Sequence, residues 1–339
     1  MAKQGVLLVN LGTPDSPEVK DVKRYLDQFL MDERVIDIPA LKRNLLVRGI
    51  IVPFRSPKTA KLYQKIWNEK GSPLLYYSEA QAAGLQRLLG SDYQVELAMR
   101  YQKPSVEQAL DRLKAGLVRS IKVIPLFPQY ASASTGSVIQ LVMQIMSKWH
   151  TIPPVSFVNS FHDHPLMIDI FADNARKHQL ETFDHFLFSF HGLPERQILK
   201  SNYVSADYDF RDMSQRENLN DSNQFCYLAQ SYDTARLIAH KLGIKKEDYT
   251  VCFQSRLGKE PWVQPYTSDV LKKLASEGKK RLLAFSPAFV ADCLETIHEI
   301  TVEYDEEFKA LGGEKVQLVE SLNEDPRFIE MLAELAVRA

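Results

Sequence analysis

The chain has 339 residues, with 42 basic and 43 acidic side chains and 45% hydrophobic residues. This length allows about two domains of roughly 100–200 residues each, and the balanced charge excludes the basic surplus typical of nucleic-acid binding. The three cysteines, Cys226, Cys252 and Cys293, are widely spaced, so they predict neither a disulfide framework nor a thiolate metal site and favour a reducing, cytosolic setting. The N-terminus lacks a signal-peptide pattern, and no window reaches the ~18–20 apolar residues that span a bilayer. We therefore expect a soluble protein.

Short apolar runs recur along the chain, with charged, helical segments between them. They are GVLLVN (5–10), VELAMR (95–100), IKVIPLF (121–127), VSFVNS (155–160), HFLFSF (185–190), TVCFQS (250–255), RLLAFS (281–286) and VQLVES (316–321). Near-continuous rather than alternating apolar runs are typical of parallel strands covered on both faces. The sequence predicts an α/β fold of two doubly wound, Rossmann-like halves with parallel four-stranded sheets. The Pro-containing stretch 147–165 is the predicted crossing between them.

One of these runs, FLFSFHGLPER (186–196), ends abruptly in His191. In open parallel sheets ligands bind outside the carboxyl ends of the strands, so His191 is a candidate site residue. A lone histidine there is more often a satisfied polar group at a strand end. Three other predicted strand ends carry loops of small and turn-forming residues, at 10–17, 125–136 and 286–300, and such loops let backbone approach a ligand closely.

The loop at 286–300 opens a predicted helix with the carboxylates Asp292, Glu295, Glu299 and Glu303. Spacings of three, four and four residues place them on one helix face. A stripe of this kind is more often a solvated helix face. Its first members follow a strand by a few residues, which places them near the same sheet edge as His191. An imidazole and carboxylates at one edge suit either a hard-cation path or an acid–base pair.

Five motifs together resemble the ferrochelatase family, whose members insert ferrous iron into a porphyrin. They are LLVNLGTPDSP, PLFPQYASASTGS, FSFHGLPER, FQSRLGKEPWVQPYT and FVADCLETIHEI, in the family's order and spacing over most of the chain. The resemblance implies a chelatase-like, lyase-class enzyme of haem biosynthesis. It also implies a domain at 1–160 with a porphyrin lip, a domain at 161–320 with the catalytic histidine and acidic helix, and a helix at 321–339 that packs back on the first domain.

The resemblance implies roles for the residues already singled out. His191 and Glu295 would face each other across the reacting porphyrin as catalytic and metal-contacting residues, with His191 as proton acceptor or first metal contact. Asp292, Glu299 and Glu303 would form a metal path or proton relay. A neutral imidazole accepts a proton near pH 7, so both roles of His191 stay open.

The resemblance also implies a porphyrin-binding set. Its members are Leu11, Arg55, Tyr63, Ser72, Arg100, Tyr101 and Trp262. Without the resemblance, Arg55 and Tyr63 would be interpreted as a surface helix start and a packing residue, and Trp262 equally well as a core aromatic. Porphyrin and ferrous iron are then the expected substrates, and we expect no permanently bound cofactor.

The segment LLVRGIIVPF (45–54) is apolar, with Lys42, Arg43 and Arg48 in and beside it. It is either a buried helix or a lip that rests on a bilayer surface. The resemblance favours peripheral contact with the inner face of the cell membrane by a protein that is otherwise cytoplasmic and monomeric.

Two features depart from the family pattern. Some members bind a [2Fe–2S] cluster, but three scattered cysteines cannot supply four thiolate ligands, so we expect no cluster. The stretch 199–223 is longer than expected and reads as a polar loop or lid.

Two other functions stay open from the sequence. One is a chelatase for another tetrapyrrole or metal, such as coproporphyrin with iron or sirohydrochlorin with cobalt. The other is a porphyrin- or haem-binding protein without catalytic activity, which would not need the row of carboxylates that begins at Asp292.

Overall fold

The computed structural model describes residues 3–200, 207–256, 258 and 260–338. The chain divides into two compact units. The first unit comprises Met1–Phe127, Ala131–Asn159 and Asn323–Ala339, and the second comprises Pro128–Tyr130 and Ser160–Leu322. Within the described residues, each unit is built on a parallel four-stranded sheet.

The first unit has the strand order β2-β1-β3-β4. Its strands are β1 (Gln4–Gly12), β2 (Tyr93–Tyr101), β3 (Ile121–Pro125) and β4 (Val155–Phe157). Its helices are α1 (Val19–Leu30), α2 (Ala40–Leu46), α3 (Val52–Ile66), α4 (Pro73–Leu89), α5 (Val106–Ala115), α6 (Ser137–Met146) and the C-terminal Pro326–Val337. The apolar run of β1 is fully buried from Val6 to Val9, as a strand covered on both faces must be. The C-terminal helix packs on α4, where the Gln81 amide donates to the Asn323 carbonyl at 2.7 Å.

The second unit has the strand order β6-β5-β7-β8. Its strands are β5 (His185–His191), β6 (Tyr249–Gln254), β7 (Arg281–Phe285) and β8 (Lys315–Leu318). Its α-helices are α7 (Pro165–Arg176), α8 (Glu195–Leu199), α9 (Met213–Arg216), α10 (Tyr227–Leu242), α11 (Thr267–Ser276) and α12 (Asp305–Ala310), and the C-terminal helix of the first unit is α13. In β5, every residue before His191 is buried.

In the part of the chain that the structure describes, three segments adopt the wider π-helical turn, in which hydrogen bonds run from residue i to i+5. They are Val47–Ile51 between α2 and α3, Ser132–Gly136 before α6, and Glu295–Tyr304 before α12. Such turns are rare and often lie at functional sites. Short 3₁₀ turns lie at Gly90–Asp92, Leu180–Thr182 and Lys246–Asp248.

The predicted fold class is confirmed, since the eight apolar runs form two parallel sheets. The fourth and eighth runs form shorter strands than predicted, ending at Phe157 and Leu318. In the predicted loop at 199–223, residues 201–206 lie outside the described part, and the described remainder contains the single turn of helix α9. Of the helices in the described residues, none combines the length and the apolar character needed to cross a membrane.

Candidate active site

His191 stands at the carboxyl end of β5, where the buried strand reaches partial exposure. Its ring Nδ1 lies 2.7 Å from the carbonyl oxygen of Gly192. A carbonyl can only accept, so this bond places a proton on Nδ1 and leaves the lone pair of a neutral ring on Nε2. The Tyr227 hydroxyl donates to the backbone carbonyl of His191 at 2.8 Å. The strand end and the ring orientation are thus both held by hydrogen bonds.

Gly192 is required by close packing on both sides. A Cβ at this position would lie 2.7 Å from the Gln254 carbonyl oxygen and 3.2 Å from Cε3 of Trp262. The Gly192 amide donates to the same Gln254 carbonyl at 2.8 Å. Trp262, a predicted porphyrin-binding residue, is buried and packs against the turn following His191.

Glu299 projects from the π-helix Glu295–Tyr304 and accepts hydrogen bonds from two structural elements. Its oxygens lie 2.9 Å from the Ser255 hydroxyl, 3.2 Å from the Gln254 amide nitrogen and 3.0 Å from the Tyr304 hydroxyl. Burial, and repulsion by Glu295 and Glu303, raise the pKa of Glu299 to about 7, although the bonds from Ser255 and Tyr304 oppose this shift. A carboxyl group in this state exchanges protons near neutral pH.

The other three predicted carboxylates differ in their surroundings. Glu295 is the first residue of the π-helix and is partly exposed, and Glu303 is exposed, with an oxygen 3.4 Å from Nδ1 of His298. Asp292 precedes the helix, so the prediction that all four lie on one helix is wrong for this residue. It is buried and accepts bonds from the Thr296 hydroxyl at 3.0 Å and the Ser321 amide at 3.4 Å. These contacts join the start of the helix to the segment after β8.

Leu11, Arg100 and Tyr101 lie together at the carboxyl ends of β1 and β2, where Gly12 pairs with Tyr101. Arg100 and Tyr101 both bind Asp32, at 2.6 and 2.9 Å. Tyr101 is 0% exposed, so it has no surface with which to contact a substrate. A ligand can reach two members of this group, Leu11 and Arg100, because both are partly exposed.

The sequence analysis missed Asp32, which organises this rim. Its Oδ2 also accepts a bond from the Ser137 hydroxyl at 2.5 Å, and Ser137 in turn accepts from Arg100 Nε at 2.6 Å. Asp32 follows α1 in the stretch FLMDER, which contains no glycine and is not one of the apolar runs predicted to form strands. Only the fold brings it to the strand end.

The predicted carboxylate-binding residues Arg55, Tyr63 and Ser72 have different exposures. Arg55 is exposed on α3, whereas Tyr63 is buried two turns further along the same helix. Ser72 is buried before α4 and accepts a bond from the Thr13 hydroxyl at 2.8 Å. Arg55 is the member of this group that a charged ligand reaches without rearrangement.

The predicted membrane segment forms one continuous helical stretch from α2 through the π turn to α3. Leu41, Leu45, Ile50 and Phe54 are exposed at steps of four, five and four residues. The five-residue step crosses the π turn, whose extra residue keeps Ile50 in line with the others. The alternative of a buried helix is therefore wrong for this face.

Of its basic residues, Lys42 is exposed, whereas Arg43 and Arg48 are engaged in contacts with the protein. Arg43 is buried and donates to the carbonyls of Ile36 and Ile38 at 3.1 and 3.2 Å. Arg48 makes a two-pronged ion pair with Asp27 at 2.7 and 3.0 Å.

Comparison with known proteins gives this geometry a family. The sequence model of the family described as Ferrochelatase matches residues 3–339. The chain is 43% identical over 330 residues to a ferrochelatase from Legionella pneumophila strain Corby, which covers 97% of both chains. It is 42% identical over 345 residues to a ferrochelatase from Coxiella burnetii strain Dugway 5J108-111, covering 99% of this chain and 94% of the relative.

The chain belongs to the ferrochelatase family. The resemblance inferred from the five motifs is therefore confirmed. Among solved structures, SirB from Bacillus subtilis with Fe3+ matches with a TM-score of 0.54 at 11% identity, covering 99% of this chain and 96% of SirB. A cobalt complex of the sirohydrochlorin chelatase SirB gives a TM-score of 0.52 at 12% identity, covering 98% and 94%. At these identities the likeness shows that this ferrochelatase-family chain has a chelatase fold, and no more.

Proposed function

We propose that the protein inserts Fe²⁺ into protoporphyrin IX to give protohaem, the terminal step of haem biosynthesis. Relatives named ferrochelatase at 42–43% identity over nearly the whole chain support this assignment. The observation that carries it is that His191 and Glu299 lie at the same sheet edge. Gln254 is paired with His191 on the neighbouring strand, and its side-chain amide donates a hydrogen bond to Glu299.

The proposed mechanism follows from proton balance. A free-base porphyrin carries two pyrrole N–H protons, and each incoming Fe²⁺ displaces both without any change of oxidation state. The proposed first acceptor is Nε2 of His191, since the bond to Gly192 places the other ring proton on Nδ1. Glu299 is the proposed second carrier, because its pKa of about 7 lets it take and release protons near neutrality. The exposed Glu303 would return them to solvent.

Iron is a substrate in this proposal and not a resident cofactor. No cluster of three or more His, Cys, Asp or Glu side chains suited to a metal ion lies within the described residues. We propose that His191 and Glu295 contact the ion only in transit. Asp292 is better suited to holding the start of the π-helix than to conducting metal ions or protons, since it accepts hydrogen bonds from Thr296 and Ser321.

In the first unit, the proposed porphyrin contacts are Leu11, Arg55 and Arg100. Their combination of an apolar strand end with two guanidinium groups suits a flat apolar ring with carboxylate substituents. Tyr63, Ser72 and Tyr101 are proposed to act through their neighbours, because each is buried.

We further propose that the exposed face of Leu41, Leu45, Ile50 and Phe54 rests on the inner face of the cell membrane, with the rest of the protein in the cytoplasm. Leu41 and Phe54 are each 74% exposed, and burying each such side chain is worth about 1.5–3 kcal/mol. Replacing Leu45 and Phe54 with Ser should weaken sedimentation with phospholipid vesicles. The matched control, Leu88→Ser on α4, should not, and equal sedimentation of both variants would refute this contact.

The function itself is tested by anaerobic incubation of the purified protein with Fe²⁺ and protoporphyrin IX, with coproporphyrin in parallel. Appearance of the protohaem absorption spectrum at a rate proportional to protein concentration is the expected result. A protein that binds the porphyrin without metallating it would be a carrier.

A further inference from the structure

Two residues at the end of β6, Gln254 and Ser255, have an arrangement that binding of iron or porphyrin does not explain. Ser255 adopts a φ of +66°, a left-handed conformation that residues with a side chain rarely adopt. Gln254 is 1% exposed. Non-glycine residues persist in such conformations where the surrounding structure requires them, and these places are often functional.

The side chain of Gln254 completes a chain of buried hydrogen bonds. The Ser189 hydroxyl donates to Gln254 Oε1 at 2.8 Å and therefore accepts from the Thr267 hydroxyl, 3.2 Å away. Gln254 Nε2 then donates to Glu299 at 3.2 Å. Ser189 lies two residues before His191 on β5. The orientation of the Gln254 amide is fixed by these bonds, with its oxygen toward β5 and its nitrogen toward Glu299.

The backbone of the same residue holds the turn after His191. The Gln254 carbonyl accepts from the Gly192 amide at 2.8 Å. Gln254 therefore binds the histidine-bearing strand through its main chain and the acidic helix through its side chain. Ser255 adds a second donor to Glu299 at 2.9 Å, and its left-handed backbone directs the hydroxyl there.

We propose that Gln254 and Ser255 are positioning residues that clamp the carboxylate of Glu299 to the end of β5 that carries His191. This inference deepens the proposed function and rests on it. A clamp of this kind fixes the carboxylate relative to the imidazole while substrate enters and leaves, which is what proton transfer between positioned groups requires.

The clamp also has an electrostatic consequence. On its own helix Glu299 is influenced by the acidic Glu295 and Glu303 and by the Tyr304 hydroxyl. Gln254 at the end of β6 and Ser255 directly after it contribute neutral donors. Donation from Ser255 favours the ionised carboxylate and so lowers its pKa. Removing this hydroxyl should raise the pKa of Glu299 further above its usual range.

The test compares Ser255→Ala and Ser255→Gly with the unsubstituted protein. Loss of a hydrogen bond to a charged group should shift the acidic limb of the metallation rate upward by about one pH unit. The ionised fraction at pH 7 then falls from about one half to about one eleventh, a roughly fivefold loss of rate that disappears near pH 9. Ser255→Gly should show this shift with a smaller loss of melting temperature than Ser255→Ala, because glycine accepts the left-handed conformation.

Two controls separate positioning from general structure. Ser255→Thr keeps the hydroxyl and should restore the pH profile even if the branched side chain lowers the melting temperature. Ser268→Ala removes a serine that donates to another carboxylate of the second unit, that of Glu307 at 2.8 Å, and should leave the profile unchanged.

A titration without substrate makes the inference independent of turnover. The infrared carboxyl band of Glu299, identified by its loss in Glu299→Gln, should titrate about one pH unit higher in both Ser255→Ala and Ser255→Gly. An unchanged midpoint in both variants would overturn the clamp. A shifted midpoint with an unchanged metallation profile would uphold the clamp and refute the proposed role of Glu299 in proton transfer.

Discussion

The raised pKa of Glu299 predicts that the acidic helix is a source of instability that increases with pH. A carboxyl group whose pKa rises from 4.5 when unfolded to about 7 when folded binds more protons in the folded state between these values. Stability is therefore lost as pH rises through this window. The difference of about 2.5 pKa units corresponds to an upper limit of about 3 kcal/mol.

Glu299→Gln should remove this cost. A glutamine can keep its carbonyl oxygen toward Gln254 and Ser255 and turn its amide toward the Tyr304 hydroxyl, which can accept as well as donate. We expect the variant to be more stable than the unsubstituted protein by about 2 kcal/mol at pH 8, and to be equal to it near pH 4.5. Its metallation rate should nevertheless fall by at least about 10²-fold, as for removal of a positioned proton carrier.

The assay is urea or thermal unfolding of both proteins from pH 5 to pH 9, followed by circular dichroism. The measured quantity is the difference in free energy of unfolding at each pH. Glu306→Gln, at an exposed carboxylate on α12, is the matched control and should show little difference at any pH. A free-energy difference for Glu299→Gln that stays constant across this range, or a variant that is less stable at pH 8, would refute the reasoning.

Four further outcomes are expected. Gly192→Ala should cost about 1–3 kcal/mol of stability and should also lower the metallation rate of the protein that remains folded, because the new Cβ lies 2.7 Å from the Gln254 carbonyl oxygen. Gly49→Ala is the control, since Gly49 has open space around it. Similar melting temperatures and rates for the two variants would contradict the packing argument. Zn²⁺ should be inserted as well as Fe²⁺, since nitrogen and oxygen ligands alone favour zinc over iron; a protein active with Fe²⁺ and inert to Zn²⁺ would require additional selectivity groups. Anaerobically purified protein should contain no acid-labile sulfide, the marker of an iron–sulfur cluster, and stoichiometric sulfide would contradict this. It should elute as a 38.8 kDa monomer, and a dimer mass would contradict that.

Sequence patterns predicted the sheets well because burial acts on each strand locally. A parallel strand covered on both faces must be apolar along its length, so HFLFSF and RLLAFS could be recognised without knowing their neighbours. The shared rim then followed from the rule that ligands bind outside the carboxyl ends of parallel strands, whereas the order of the strands was not predicted. The same reasoning placed His191 at a carboxyl end, where the structure has it.

The helix at 286–300 shows what local patterns could not supply. Carboxylate spacing was interpreted with ordinary helical geometry, but the segment begins its helix only at Glu295 and winds as a π-helix. Asp292 consequently lies before the helix and is buried in contacts with Thr296 and Ser321. Nothing in the spacing of acidic residues indicates an i to i+5 hydrogen-bonding pattern, which depends on packing around the segment.

Gln254 and Ser255 could have been found by the signal that identified His191. The run TVCFQS ends in two polar residues, just as HFLFSF ends in histidine, and the carboxyl ends of neighbouring parallel strands meet at one rim. The link to Glu299 could not be inferred, because it depends on the left-handed backbone of Ser255. Burial of Tyr101 by Asp32 depends likewise on a contact between residues 69 positions apart.

Iron insertion by a His191→Ala variant tests the central claim most directly. His191 lies at the mouth of β5 and its side chain is outside the core, so we expect the melting temperature and the porphyrin affinity, measured by fluorescence titration, to stay close to those of the unsubstituted protein. The initial rate of protohaem formation from Fe²⁺ and protoporphyrin IX should fall by at least about 10²-fold. A variant that folds, binds porphyrin and inserts iron at the normal rate would remove His191 from the mechanism and contradict the account.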